Sequence, residues 1–173
     1  DGNLPPVLDA CCGSRMFWFD RKDPRAVFVD KRRETYSLKD KSSPGGSRAL
    51  VINPDIVADF TALPFPDNSF SCVVFDPPHF ARNGDTGWMA KKYGKLDGDW
   101  RTMLRLGFAE CFRVLKQEGI LVLKWNDAEF PVSDILKLTT EKPLFWNRFG
   151  KNGQSHFVTF IKLNRPAGEG RKT

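Results

Sequence analysis

Histidine and tyrosine are scarce in this chain, two of each among 173 residues, and its four cysteines form no Cys-x-x-Cys pair. A zinc site of the usual Cys/His spacing is thereby excluded, and no metal is expected. Adjacent Cys11 and Cys12 are badly placed to bridge one another, so the thiols are expected to be reduced, as in the cytoplasm. No apolar run approaches the ~20 residues that span a bilayer, and no signal-peptide pattern is present. No membrane partner is expected. The dinucleotide fingerprint G-x-G-x-x-G is also missing, because Arg15 stands two positions after Gly13. That disfavours a pyrophosphate cradle and favours a ligand without phosphates.

What is present describes a folded α/β domain. Apolar residues make up 40% and aromatics 13%, enough to exclude disorder as a description of the whole chain. Residues 1–163 are expected to form a single domain. Residues 164–173, built of Gly, Pro, Asn, Ala, Thr and charge, are expected to be a disordered tail. The net charge of +6 and a pI near 9.3 fit a polyanionic partner.

Acidic residues recur at the ends of apolar runs. Pro6-Val7-Leu8-Asp9-Ala10-Cys11-Cys12-Gly13 reads as a short strand entering a small-residue turn, the edge across which a cofactor lies in open α/β sheets. Ala26-Val27-Phe28-Val29 ends in Asp30, 21 residues after Asp9, an offset that suits hydrogen bonds from ribose hydroxyls. Ile56-Val57-Ala58 leads to Asp59-Phe60, an acceptor and a ring suited to an adenine. Cys72-Val73-Val74-Phe75 leads to Asp76-Pro77-Pro78-His79. Two prolines stiffen that loop and offer no N–H to their own carbonyls. The Asp76 carboxylate and the free carbonyls therefore suit a planar amino group with two hydrogens to donate.

This series, from Val7-Leu8-Asp9-Ala10-Cys11-Cys12-Gly13 through Asp30 and Asp59-Phe60 to Asp76-Pro77-Pro78-His79, resembles class I S-adenosylmethionine-dependent methyltransferases. The last motif is similar to the (Asp/Asn/Ser)-Pro-Pro-(aromatic) signature of enzymes that methylate amino nitrogens, adenine N6 and cytosine N4 among them. The wording Asp9 to Asp20, with Trp88-Met89-Ala90-Lys91-Lys92-Tyr93-Gly94-Lys95, resembles small phage and prophage methyltransferases. Arg15 and His79 depart from the family's usual glycine and aromatic residue. The resemblance implies a Rossmann-like, mostly parallel sheet closed by a C-terminal antiparallel hairpin. It implies S-adenosylmethionine held by Asp9, Ala10, Cys11, Cys12, Gly13, Asp30, Asp59 and Phe60, and chemistry at Asp76, Pro77, Pro78 and His79. A nucleic acid is the expected partner, DNA before RNA, with adenine N6 favoured. An RNA base, a protein glutamine amide, or a non-catalytic cofactor-binding subunit are the alternatives.

Basic residues fall in two clusters. Arg21, Lys22, Arg25, Lys31, Arg32 and Arg33 surround the second strand. Arg82, Lys91, Lys92 and Lys95 follow the Asp-Pro-Pro-His motif and interleave with Phe80, Trp88 and Tyr93, the mixture that backbone contact and base stacking require. Residues 80–98 are expected to be a loop, acting as a lid, and residues 31–48 a long irregular connection. Apolar spacing predicts a helix over 99–116, stopped by Gly119 and followed by a buried strand at Ile120–Leu123. A short helix is expected near 133–138. Asn152-Gly153 between β-rich runs predicts a hairpin, with His156 read as structural.

Overall fold

Runs of β-branched and aromatic residues, each bounded by turn residues, supply most of the strands. The computed structural model describes residues 4–16, 18–39, 42–80, 95–96 and 98–163. In chain order the strands are Val7–Asp9 (β1), Ala26–Asp30 (β2), Glu34–Lys39 (β3), Ser47–Ile52 (β4), Ile56–Val57 (β5), Phe70–Phe75 (β6), Leu115–Asn126 (β7), Phe145–Phe149 (β8) and Ser155–Ile161 (β9). Among the described residues two α-helices, Trp100–Val114 (α1) and Val132–Leu136 (α2), lie between these strands. Seven strands form one sheet in the order β5-β2-β1-β6-β7-β9-β8, and β9 alone runs antiparallel to its neighbours. This is the α/β Rossmann-like arrangement expected, with the parallel strands closed by an antiparallel hairpin.

The core lies between this sheet and α1. The helix buries Trp100, Leu104, Gly107, Phe108, Cys111 and Val114, one stripe at helical spacing. Asp99 caps its start by accepting the Thr102 N–H at 3.2 Å. The stripe meets Leu8, Val73, Phe75, Leu121, Leu123 and Phe160 from the sheet. Gly107 permits a close approach: a Cβ there would sit 2.7 Å from the rings of both Phe60 and Phe75. Phe60, Phe75 and Phe108 form a chain of edge-to-face contacts with centroids 5.3 Å apart.

Two sequence expectations are corrected. Residues 31–48 are not irregular throughout, because β3 and β4 pair antiparallel from Glu34↔Ile52 to Lys39↔Ser47. The β-forming pairs Thr35-Tyr36 and Val51-Ile52 win over the polar residues around them, and Leu50 and Ile52 are buried. This hairpin therefore intervenes between the second and third acid-tipped strands. Gly119 also does not stop the helix. α1 ends at Val114, Leu115 is already extended, and β7 runs on through Gly119. Burial of Val114 and Leu115 against the sheet overrides continued helix. Gly119 serves a tight irregularity, where a Cβ would meet the Leu115 side chain and the Lys116 carbonyl at 2.8 Å.

Among the described residues no helix forms between β1 and β2. Arg15 takes the place of that crossover element. Its guanidinium donates to the carbonyls of Arg21 (2.7 Å) and Asn53 (2.8 Å), pairs with Asp55 at 3.0 Å, and lies 3.8 Å from the Phe28 ring centre. Its backbone has φ of 56°, the left-handed region that a glycine would enter freely. The missing glycine thus costs strain, and the side chain offsets it. Arg15→Ala should lower stability by about 1–3 kcal/mol in chemical denaturation, through lost charged hydrogen bonds. Arg15→Gly should lose about 1 kcal/mol less, because it relieves the backbone. Equal losses in the two variants would deny that strain.

Candidate active site

In a parallel sheet the strand ends that share one edge bring their terminal side chains together. The C-terminal ends of β1, β2, β6 and β7 do so around a cavity of about 450 Å³. Its lining includes Asp9, Ala10, Cys11, Cys12 and Gly13 from the first turn, Asp30 from β2, and Phe60. Asp76, Pro77, Pro78, His79 and Phe80 form another part of the wall. The two motifs that the sequence separates by some sixty residues therefore open into one chamber.

Each carboxylate is held differently. Asp9 is buried, its Oδ2 accepting the Trp18 indole N–H at 2.7 Å and its Oδ1 the Cys11 N–H at 3.3 Å. Burial pushes its carboxyl up to about 7, helped by the charges of Asp76 and Asp30, while the two donors pull it back. Asp30 accepts the Gly13 N–H at 2.9 Å through Oδ2, and through Oδ1 the Arg32 N–H at 2.9 Å and its Nε at 3.2 Å. Gly13 meets it with φ of 49°. Asp76 is half-buried, and its Oδ2 accepts from Lys124 Nζ at 2.7 Å.

The remaining titratable groups narrow the chemistry. Burial, with the charge of Asp9 behind it, holds the Cys11 thiol well above its ordinary range, and it pushes Cys12 to about 12. Neither is a thiolate nucleophile at neutral pH. Burial lowers the His79 imidazole, so the ring is neutral and presents a flat face, 4.3 Å from the Phe80 ring and tilted to it. Among the described residues no group of three or more His, Cys, Asp or Glu could hold a metal ion. No described helix is long and apolar enough to cross a membrane.

Not every sequence candidate reaches the cavity. Asp59 is outside its lining, and its Oδ1 accepts the N–H and hydroxyl of Thr61 at 2.9 and 2.8 Å, closing a local turn. Lys95 is half-buried and also outside the lining. Arg82, Trp88, Lys91, Lys92 and Tyr93, most of the expected lid and the tail 164–173 lie outside the described residues. His156 is buried and bonds Asp127 through Nε2 at 2.7 Å, not among the cavity residues.

Sequence reasoning did not place Ser14, Met16, Lys31, Arg32, Lys124, Asn126 and Ser155 in the site, and these complete the wall. Asn126 donates to the Ser155 hydroxyl at 3.0 Å across paired strands β7 and β9. One signal was present: Lys124 and Asn126 break the apolar run of β7 at alternate positions, so both face the same side of the sheet. Trp18 was missed likewise, since only the fold brings its indole to Asp9.

Comparison with known proteins places the fold. No protein-family model matches the sequence, and no curated protein matches it either. Solved structures do. The chain is similar to a Pyrococcus horikoshii protein at 16% identity and TM-score 0.59, covering 90% of this chain and 81% of that one. A S-adenosylmethionine-dependent methyltransferase from Methanosarcina mazei aligns over 92% of both chains, at 15% identity and TM-score 0.55. A Burkholderia thailandensis 1,6-didemethyltoxoflavin-N1-methyltransferase, solved with that compound and S-adenosylhomocysteine, aligns over 91% of this chain and 71% of its own, at 12% identity and TM-score 0.52. The architecture is therefore that of the class I methyltransferases.

The raised Asp9 carboxyl has a measurable consequence for stability. The unfolded chain releases this proton near pH 3.8 and the folded chain near 7, so the group weakens folding as pH rises between those values. Above 7 the penalty is constant. Asp9→Asn keeps an acceptor for Trp18 and removes the charge. It should gain stability relative to the parent as pH is raised from 4 to 8, by on the order of 1–4 kcal/mol in urea denaturation. A pH-independent difference between the two proteins would place the proton elsewhere.

Proposed function

We propose that the chain is a S-adenosylmethionine-dependent methyltransferase acting on the exocyclic amino nitrogen of a nucleobase in nucleic acid, with DNA adenine N6 favoured. The observation that carries this reading is the shared cavity, which sets the Asp76-Pro77-Pro78-His79 loop against the Asp9–Gly13 turn. The cofactor suits the donor set. Asp9, Asp30 and Asp76, with Lys31, Arg32 and Lys124 in the same wall, match a ligand that carries both positive and negative groups, and Asp30 at the end of β2 suits ribose hydroxyls. Phe60 offers a ring wall beside them. When bound, S-adenosylmethionine supplies a methyl carbon already activated by a sulfonium.

The protein's task is then alignment and charge stabilisation. An aromatic amine is a poor nucleophile because its lone pair is delocalised into the ring. Hydrogen bonds from its two hydrogens to Asp76 and the Pro77 carbonyl favour a more tetrahedral nitrogen and free that pair. As the nitrogen becomes positive, the Asp76 carboxylate stabilises it, and one hydrogen then passes as a proton to solvent water. His79 and Phe80 supply the faces against which the base stacks. Lys124 holds Asp76 by one oxygen, leaving the other for the amine.

The direct test incubates the protein with methyl-labelled S-adenosylmethionine and parallel DNA, RNA and protein pools, followed by nucleoside and amino-acid analysis. Label in N6-methyladenine is expected. Label on glutamine would move the same chemistry to a side-chain amide, and label in no pool would overturn the reading. With the accepting pool identified, Asp76→Ala should reduce transfer by 10²-fold or more. Its cofactor affinity by calorimetry should stay within a few-fold, since Asp76 acts on the amine. Near-normal turnover in that variant would falsify the amino-methyltransferase assignment.

Lys124 is a positioning residue, and its signature differs. Lys124→Met should lower kcat by about 10- to 100-fold through misplacement of the carboxylate, with cofactor affinity little changed. Lys124→Arg should recover part of the loss. Full activity in Lys124→Met would make the ion pair a feature of the resting protein only.

A further inference from the structure

The β8–β9 hairpin exposes what most soluble proteins hide. Phe145 and Trp146 on the outermost strand of the sheet, and Leu144 just before it, are 63, 59 and 54% exposed. Lys142, Arg148 and Lys151 are exposed beside them, and no acidic residue occurs from 142 to 155. The alternation of β8 puts Phe145 and Phe149 on the face of Thr159, Phe157 and Ser155, their register partners and neighbours on β9. Phe149 stacks flat on Phe157, with centroids 4.7 Å apart and planes 10° apart. Phe149 pairs with Ser155, which lines the cavity, so this aromatic row begins at the cavity wall and leads away along the edge. Trp146 and Arg148 continue the same mixture on the opposite face of β8.

We infer that this edge hairpin is the track along which a single-stranded nucleic acid enters the cavity, an inference that rests on the nucleobase reading above. Charge decides between possible occupants. A second copy paired through β8 would bring two copies of this basic stretch together, with no carboxylate between 142 and 155 in either. A phosphate backbone answers all three. Exposed rings give unstacked bases a surface, which a duplex with its bases already stacked cannot use. The cations meet the backbone, Phe145 takes a base on the face that leads to Ser155, Trp146 takes one on the opposite face of the same edge strand, and the base that passes Ser155 reaches Asp76. The hairpin thereby supplies contact with the strand without reading its sequence.

Fluorescence anisotropy with a labelled 20-nucleotide oligothymidine tests this apart from the chemistry, because thymine has no exocyclic amine to be methylated. The wild-type protein should bind it, more weakly as salt rises, and more tightly than it binds a duplex of equal length. The Lys142→Ala/Lys151→Ala double variant should weaken binding and reduce the slope of log affinity against log salt by up to about 1.4, two contacts at ~0.7 each for a single strand. Phe145→Ala with Trp146→Ala should weaken binding at least fivefold with the slope unchanged. These positions are exposed, and unaltered thermal melting confirms that the variants fold. Equal affinity in wild type and both variants would overturn the inference, as would tighter binding to duplex. A concentration-dependent dimer that Phe145→Ala dissolves would also overturn it, by giving the edge to a second copy. Loss of oligothymidine binding in the variants, together with normal turnover in Asp76→Ala, would retain the track and reject the amine chemistry.

Discussion

The hydrogen bond from the Gly13 N–H to the Asp30 carboxylate, 2.9 Å long, fixes the first turn against the end of β2. The position of the turn at the edge of the sheet rests on it, together with the strand pairing beneath. Without it, the Ala10–Ser14 turn would be left with the backbone bond from the Cys12 N–H to the Val29 carbonyl, 2.7 Å long, as its tie to β2. The same carboxylate also holds Arg32, so one side chain organises the exits of both β1 and β2. Asp9, one strand away, is locked by Trp18 from the connection between those strands. Polar side chains at strand ends thus take over positioning that backbone hydrogen bonds within a crossover helix would otherwise supply.

That economy has an energetic cost. Burying Asp9 and Asp30 with half-buried Asp76 nearby is unfavourable, and the high Asp9 carboxyl records it. The cost is tolerable because each acid has fixed partners: an indole for Asp9, a turn amide and a guanidinium for Asp30, and an ammonium for Asp76. Lys31, Arg32 and Lys124 stand in the same wall, so the chamber presents both signs of charge to what enters it.

Much of this was legible in the sequence, for a physical reason. Strand ends at a functional edge place a conspicuous residue next to an apolar run, as Asp9, Asp30 and Asp76 show, and the helical stripe from Trp100 to Val114 has a clear period. The β3–β4 hairpin was less legible because its exposed strands mix polar and apolar residues, and the pairing that stabilises them is not local. Gly119 misled for a related reason. A glycine after a helical stripe has the same appearance whether it ends a helix or admits a close contact within a strand. Lys124, Asn126 and Ser155 were hidden because cross-strand register, which brings Asn126 opposite Ser155, is a property of the folded sheet. Asp59 shows the converse, where a suggestive position is occupied by an ordinary turn with Thr61.

Gly107 lies on α1 and is not part of the cavity wall, yet Phe60 rests against it and Phe60 is part of that wall. The rear of the chamber is therefore shaped from outside it. A methyl group at position 107 would press on Phe60 and Phe75 together, and the ring with a free side is the one facing the ligand space. Ligand size in this architecture can be tuned by substitutions that touch no ligand, and a survey of pocket-lining residues alone would overlook the position that sets its depth.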